Sequence, residues 1–214
     1  MTDPDAWARE AEDRLLDAAL RLAPAMGWTR LTVRAAAKAC GMSQADAELL
    51  APNGPADLAA LLSRRHDARA LAALDGVDPL DLKIRERIRR ALEARLDAAA
   101  QDEAAVRRCA GYMALPHHLT LAARLAWESA DRLWRWAGDT ATDENHYSKR
   151  AILAGVLTGA LAIRLQGGRE ASMAFVDARI ANVMSFEAWK ATAAPKPQAA
   201  LHGLAAALGK LRYG

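Results

Sequence analysis

The sequence predicts an all-α protein, because apolar residues recur at helical period along nearly the whole chain and no stretch alternates like a strand. Its breaks fall on proline and glycine, where helices stop and turns form. Of 214 residues, 52% are apolar, enough for a sizeable core, and the 26% that are charged are ordinary. That length fits one large domain, or one domain with a small N-terminal module.

Helix one is expected over about 5–22, with Leu15, Leu16, Ala19 and Leu22 on one side. Pro24 disturbs its end and Gly27 stops it. Two short helices, 33–40 and 43–50, are separated by Gly41-Met42, and Ser43 is a natural N-cap for the second. Pro52-Asn53-Gly54-Pro55 is a turn whose last proline suits the first turn of helix four, which runs to about Leu74. Asp78-Pro79 opens helix five, with Ile84, Ile88, Leu92 and Leu96 at i+4 spacing. Its basic residues, Lys83, Arg85, Arg87, Arg89, Arg90 and Arg95, alternate with Asp81, Glu86 and Glu93 and read as a solvated, salt-bridged face.

Asp102 opens helix six, and Pro116 divides it from helix seven; His117-His118 reads as a helix start. Helix seven turns Ala122, Leu125, Ala126, Ser129, Leu133 and Trp136 inward, and Arg124, Glu128, Asp131 and Arg135 outward. Trp127 and Trp134 lie at the border of its apolar face. Thr142 caps helix eight, whose stretch 151–163 is apolar except for Thr158, so this helix is expected to be central and most buried. Gly167-Gly168 ends it, and helix nine sets Met173, Val176, Ile180 and Val183 along a seam. After the stiff linker around Pro195-Lys196-Pro197, a last amphipathic helix covers about 198–211. The expected organisation is a module at 1–51, a helical bundle at 52–194, and a linker with its amphipathic helix at 195–214.

Composition narrows the function. A net charge of +3 and a pI near 9.1 suit an anionic membrane surface or an acidic partner. Cys40 and Cys109 have neither metal-site nor redox spacing, so a reducing compartment is expected. The acidic start (Asp3, Asp5, Glu10, Glu12, Asp13) has no basic or apolar leader region. Its longest apolar run, 13 residues, falls short of the ~20 a spanning helix needs. A cytoplasmic protein of a bacterial cell, peripheral at the inner membrane, is expected. No Glu-x-x-His pair, phosphate loop or serine elbow occurs, so no catalytic residue, metal or cofactor is expected.

A long helix, Gly-Trp-Thr, a short helix, Gly, and a second short helix resemble the start of TetR-family repressors. In that family the second short helix enters the major groove, with phosphate contacts supplying much of the affinity. Here it reads Ser43-Gln44-Ala45-Asp46-Ala47-Glu48, without Lys or Arg, and residues 1–50 hold six bases and eight acids, a net of −2. A duplex would be repelled, so no nucleic-acid partner is expected. The rival reading is a ligand-responsive transcriptional regulator in which Gln44 reads a base while Arg30 and Arg34 hold phosphates.

Residues 138–150 read Gly-Asp-Thr-Ala-Thr-Asp-Glu-Asn-His-Tyr-Ser-Lys-Arg, ahead of the apolar helix. This resembles the signature of the ubiquinone-biosynthesis accessory family, the ninth Coq protein family. Ala18-Ala19-Leu20 with Gly27-Trp28-Thr29, Pro52-Asn53-Gly54, and Lys83-Ile84-Arg85-Glu86-Arg87-Ile88 also resemble it. So do Ala114-Leu115-Pro116 and Phe175-Val176 with Arg179-Ile180, and the likeness covers about residues 12–190. One departure is His146, where the family usually has Trp before the tyrosine.

The resemblance implies a TetR-like helical bundle of about nine helices, lipid binding, and work beside the di-iron demethoxyubiquinone hydroxylase. By residue type alone, Asp143, Asn145, His146, Tyr147, Lys149 and Arg150 are either a solvated helix start or a protein-contact patch. The resemblance favours the patch, as partner-binding residues for the hydroxylase. Periodicity alone makes Trp136, Leu133, Leu153, Leu157, Leu161, Met173, Val176 and Ile180 ordinary core. The resemblance makes them candidate lining for an isoprenoid lipid or phospholipid. Ala151, Gly155, Thr158, Gly159 and Ala162 form a small-residue stripe that suits intramolecular packing or a homodimer. Leu201, Leu204, Leu208 and Leu211, near Lys196, Lys210 and Arg212, suit either a docked cap or a membrane-contact helix.

Overall fold

The structure, a computed structural model, describes residues 4–139 and 144–193. The predicted class holds: these residues form eight helices and no strand, arranged as an all-α TetR-like bundle. Helix α1 (Pro4–Met26) runs past its expected end, because Pro24 is tolerated in the last turn. Gly27 N–H closes that turn on the Ala23 carbonyl at 2.9 Å, and Arg108 Nε donates to the Pro24 carbonyl at 3.0 Å. Helix α2 (Arg30–Ala39) starts earlier than its apolar periodicity suggests, since Thr29 Oγ1 accepts the Thr32 N–H at 3.2 Å and caps it. Helix α3 (Gln44–Leu50) is capped by Ser43, which accepts the Asp46 N–H at 3.1 Å. Helix α4 (Pro55–Ala73) has Pro55 in its first turn, and Trp28 Nε1 donates to the Pro55 carbonyl at 2.8 Å. The buried indole thereby keeps a partner while pinning α4 to the turn before α2. Leu15, Leu16, Val33, Ala36, Leu58 and Leu62 make the core of this half, each fully buried leucine contributing about 1.5–3 kcal/mol.

Asp78-Pro79 does not open helix five. It opens a 3-10 turn, Pro79–Asp81, and α5 (Ile84–Ala100) begins later, where the Glu86 carboxylate accepts the Lys83 N–H at 3.2 Å. Helix α6 (Glu103–Met113) follows Asp102, and a 3-10 turn, Pro116–His118, leads into α7 (Leu119–Trp136). The basic face of α5 is not all solvated, which corrects the sequence reading. Arg95 is buried and donates to Asp67 at 2.6 Å, while Arg87 donates to the Leu82 and Ala137 carbonyls at 2.8 and 2.9 Å. Asp67, 1% exposed, also accepts Ser129 Oγ at 2.7 Å and Arg132 Nη1 at 2.5 Å, tying α4, α5 and α7 together. Beside it Asp102 accepts Arg69 Nη1 at 2.7 Å and meets buried His66 Nε2 at 3.0 Å. Burial, and then the nearby Arg95 charge, lower the His66 pKa to about 4, so its ring is neutral near pH 7 and donates from Nε2 to the carboxylate.

Helix α8 (Glu144–Ala193) is broken at Gly168, whose φ of 78° and ψ of −167° suit glycine alone. Its two arms are the expected helices eight and nine. A Cβ at Gly159 would lie 3.0 Å from the Phe175 ring, although a straight helix would hold those positions about 24 Å apart. The break therefore folds residues 169–176 back on the first arm, and Gly159 permits the close approach. The described residues divide into two units, one ending at Val176 and one starting at Asp177 that is helical to Ala193.

The first arm is not the central, most buried helix expected from its composition. Leu153, Leu157, Ala160 and Leu165 are buried, but Ala151, Gly155, Thr158 and Ala162 are exposed, and Ile152 is 47% exposed. By length and composition alone the run His146–Val183 could cross a membrane, but the break at Gly168 divides it into two arms.

Candidate functional site

The signature stretch is assembled by α7, the turn after it, and the start of α8. Arg150 is 1% exposed and grips both preceding elements: its Nε donates to Asp131 Oδ1 at 2.6 Å and its Nη1 to Asp139 Oδ2 at 3.0 Å. Lys149 Nζ donates to the other Asp139 oxygen at 2.7 Å and lies 5.5 Å from the Trp134 ring centre. Trp134 Nε1 donates to the Lys149 carbonyl at 3.0 Å. Burial alone would raise the Asp131 and Asp139 carboxyls. Hydrogen bonds from Arg150, with Arg135 on one and Lys149 on the other, outweigh it and hold both below the usual carboxylate range.

Above this clamp lies an aromatic surface. Tyr147, 65% exposed, stacks on half-buried Trp127 with ring centres 6.2 Å apart, and the His146 ring meets Tyr147 edge-on at 5.2 Å. The structure thus brings His146, Tyr147 and Lys149 together at the surface and places Arg150 beneath them, where it cannot meet a partner directly. Asp143 lies outside the described residues, and Asn145 is on the first turn of α8. Residue types and spacing did not reveal Asp131 and Asp139 as supports, or Trp127 and Trp134 as members of the surface. Asp131, read as facing out, turns to Arg150 because α8 packs along that flank of α7.

Among the lipid-site candidates, Leu133, Leu153, Leu157, Met173 and Val176 are buried, while Trp136, Leu161 and Ile180 are partly buried. None of the eight lines either of two clefts among the described residues. One cleft, about 320 Å³, is lined by Asp17, Arg21, Gln101, Asp102 and Glu103 among others. A second, about 300 Å³, lies between α2 and α3 and is lined by Arg30, Arg34, Gln44 and Glu48 among others. There Gln44 Nε2 donates to Glu48 Oε1 at 2.8 Å, so the side chain that would read a base is engaged within its own helix. No group of three His, Cys, Asp or Glu side chains among the described residues could hold a metal ion. Leu201, Leu204, Leu208 and Leu211 lie outside the described residues.

Fold and site together define a TetR-like all-α bundle with an exposed aromatic surface where α7 meets α8. Residues 119–187, which contain that whole surface, match the COQ9 family model, the family that the signature stretch resembles. The chain is 27% identical over 186 residues to the ubiquinone biosynthesis protein COQ9, mitochondrial, of Bos taurus, covering 82% of this chain and 58% of that protein. It is 26% identical to the Homo sapiens protein of the same name, with the same coverage. Over 213 residues it is 26% identical to the Xenopus tropicalis protein, covering 95% of this chain and 67% of that one. The chain thus spans 58% of the length of the first two relatives. These relatives are vertebrate and mitochondrial, and lend no support to the bacterial source expected from the sequence.

Proposed function

We propose that this chain is an accessory protein of ubiquinone biosynthesis, without catalysis of its own, that binds an isoprenoid quinone precursor and presents it to the di-iron demethoxyubiquinone hydroxylase at the inner membrane. The observation that carries this reading is the exposed Tyr147–Trp127 stack, set on a buried Arg150 clamp within the residues that match the COQ9 family. A large exposed aromatic with a base beside it is the composition of a protein-binding anchor. The apolar side chains of the α8 arms, from Leu153 to Val176, would carry the isoprenoid lipid or phospholipid. The exposed stripe of Ala151, Gly155, Thr158 and Ala162 would meet a second copy of the chain. The leucines at 201, 204, 208 and 211 would touch the membrane. The rival regulator is disfavoured by the net negative charge of residues 1–50 and by the Gln44–Glu48 bond.

Tyr147→Ala tests the reading. The protein should stay folded, and its association with the hydroxylase in a pull-down should weaken by about 2 kcal/mol, the loss of a central aromatic anchor. Unchanged association of a folded variant would remove this surface as the contact.

A further inference from the structure

Arg164 is the one residue, among those described, with a buried side-chain polar atom that lacks a hydrogen-bond partner. Its side chain is 13% exposed, and Nη2 donates to Asp97 Oδ1 on α5 at 2.8 Å, but Nη1 is buried without an acceptor. Native interiors rarely leave a guanidinium N–H in that condition, because the group loses water and gains nothing. The other members of this ionic row lie nearer solvent. Arg169 Nη2 is 2.7 Å from Glu93 and 3.3 Å from the second Asp97 oxygen, with its own side chain largely exposed. Arg164 alone carries the row inward. On the same arm Leu165 and Leu161 pack into the core with Leu15, Leu16 and Leu58, and Gly168 folds the next residues back one turn beyond Arg164.

We propose that Arg164 is the specificity-determining residue of the lipid site, donating from Nη1 to an uncharged oxygen on the ligand head, such as a quinone ring carbonyl. This rests on the lipid-binding reading above. Charge selects the acceptor: Asp97 already neutralises the guanidinium, and a phosphate placed there would also meet the Asp97 and Glu93 carboxylates. A neutral oxygen satisfies the N–H without that repulsion.

The test uses the full chain and three probes: a benzoquinone with a short isoprenoid tail, the matching ringless hydrocarbon, and an isoprenyl diphosphate. Binding is read by calorimetry. Arg164→Met should bind the quinone about tenfold more weakly, the worth of one hydrogen bond from a charged donor, and bind the hydrocarbon as the wild type does. Arg164→Lys, whose ammonium can keep the Asp97 pair but lacks the second prong, should show the same selective loss and guards against misfolding of the methionine variant. Quinone affinity unchanged in Arg164→Lys would overturn the proposal, as would a diphosphate that binds more tightly than the quinone through Arg164. A wild type that binds the hydrocarbon but gains nothing from the ring would overturn this assignment and leave the lipid reading standing. A wild type that binds no probe would overturn both.

Discussion

Two buried ionic clusters among the described residues do opposite things with their surroundings. Around Asp67 and His66 the charges sit inside an apolar bundle, and α4, α5 and α7 close over them. Arg150 is as buried as Asp67, but the helix that carries it turns Ile152 and a row of small residues outward. The first cluster knits a core. The second bolts an apolar helix in place by its polar side chains, so its apolar side chains need not all face inward to hold it. An apolar surface of that kind is available to a lipid, a partner or a second copy, which the first region cannot offer.

Removing each cluster's central group should separate the two. Arg150→Met leaves Asp131 and Asp139 without their shared partner, and urea unfolding should show a loss of about 3 kcal/mol, the cost of breaking a buried pair from one side. The acid limb should change with it. Both carboxyls are lowered in the folded state, so their contribution is present above the ordinary carboxylate pKa and is lost as pH falls through the folded values, below about pH 4. In Arg150→Met that limb should flatten. A variant as stable as the wild type, with the same acid limb, would show that α8 is held by its leucines instead.

His66 gives the smaller effect, in a different window. Its folded pKa is lowered from 6.5 to about 4, so the unfolded chain binds the extra proton first and stability falls as pH drops from 6.5 toward 4. Between pH 7 and pH 5 the wild type should lose about 2 kcal/mol from this group, and His66→Gln should remove that slope while leaving the carboxylate limb in place. If the slope between pH 7 and pH 5 survives in His66→Gln, another group titrates there.

The same contrast explains what the sequence made legible. Ser43, Pro55 and Pro116 mark helix starts through contacts within a few residues, and the structure has helices or turns at each. Asp78-Pro79 misled because the same capping chemistry starts a single 3-10 turn as readily as a helix. The supports of the site were hidden for a different reason. Asp131 and Asp139 stand 19 and 11 residues from Arg150 on separate elements, and no local pattern reports that pairing. The first arm of α8 was misjudged because an apolar stretch records only that something apolar covers it, not that the same chain does so. A single arginine ending an apolar helical run was the available signal for Arg164, and its pairing with Asp97 across 67 residues was not.

The most direct test of the account is native mass spectrometry of the intact chain as purified, followed by solvent extraction of whatever travels with it. The account predicts an isoprenoid lipid or a phospholipid bound in near-stoichiometric amount, released on unfolding and replaced by an added short-chain quinone. A chain that carries no lipid, and takes up neither the quinone nor an isoprenoid hydrocarbon while folded, would contradict it.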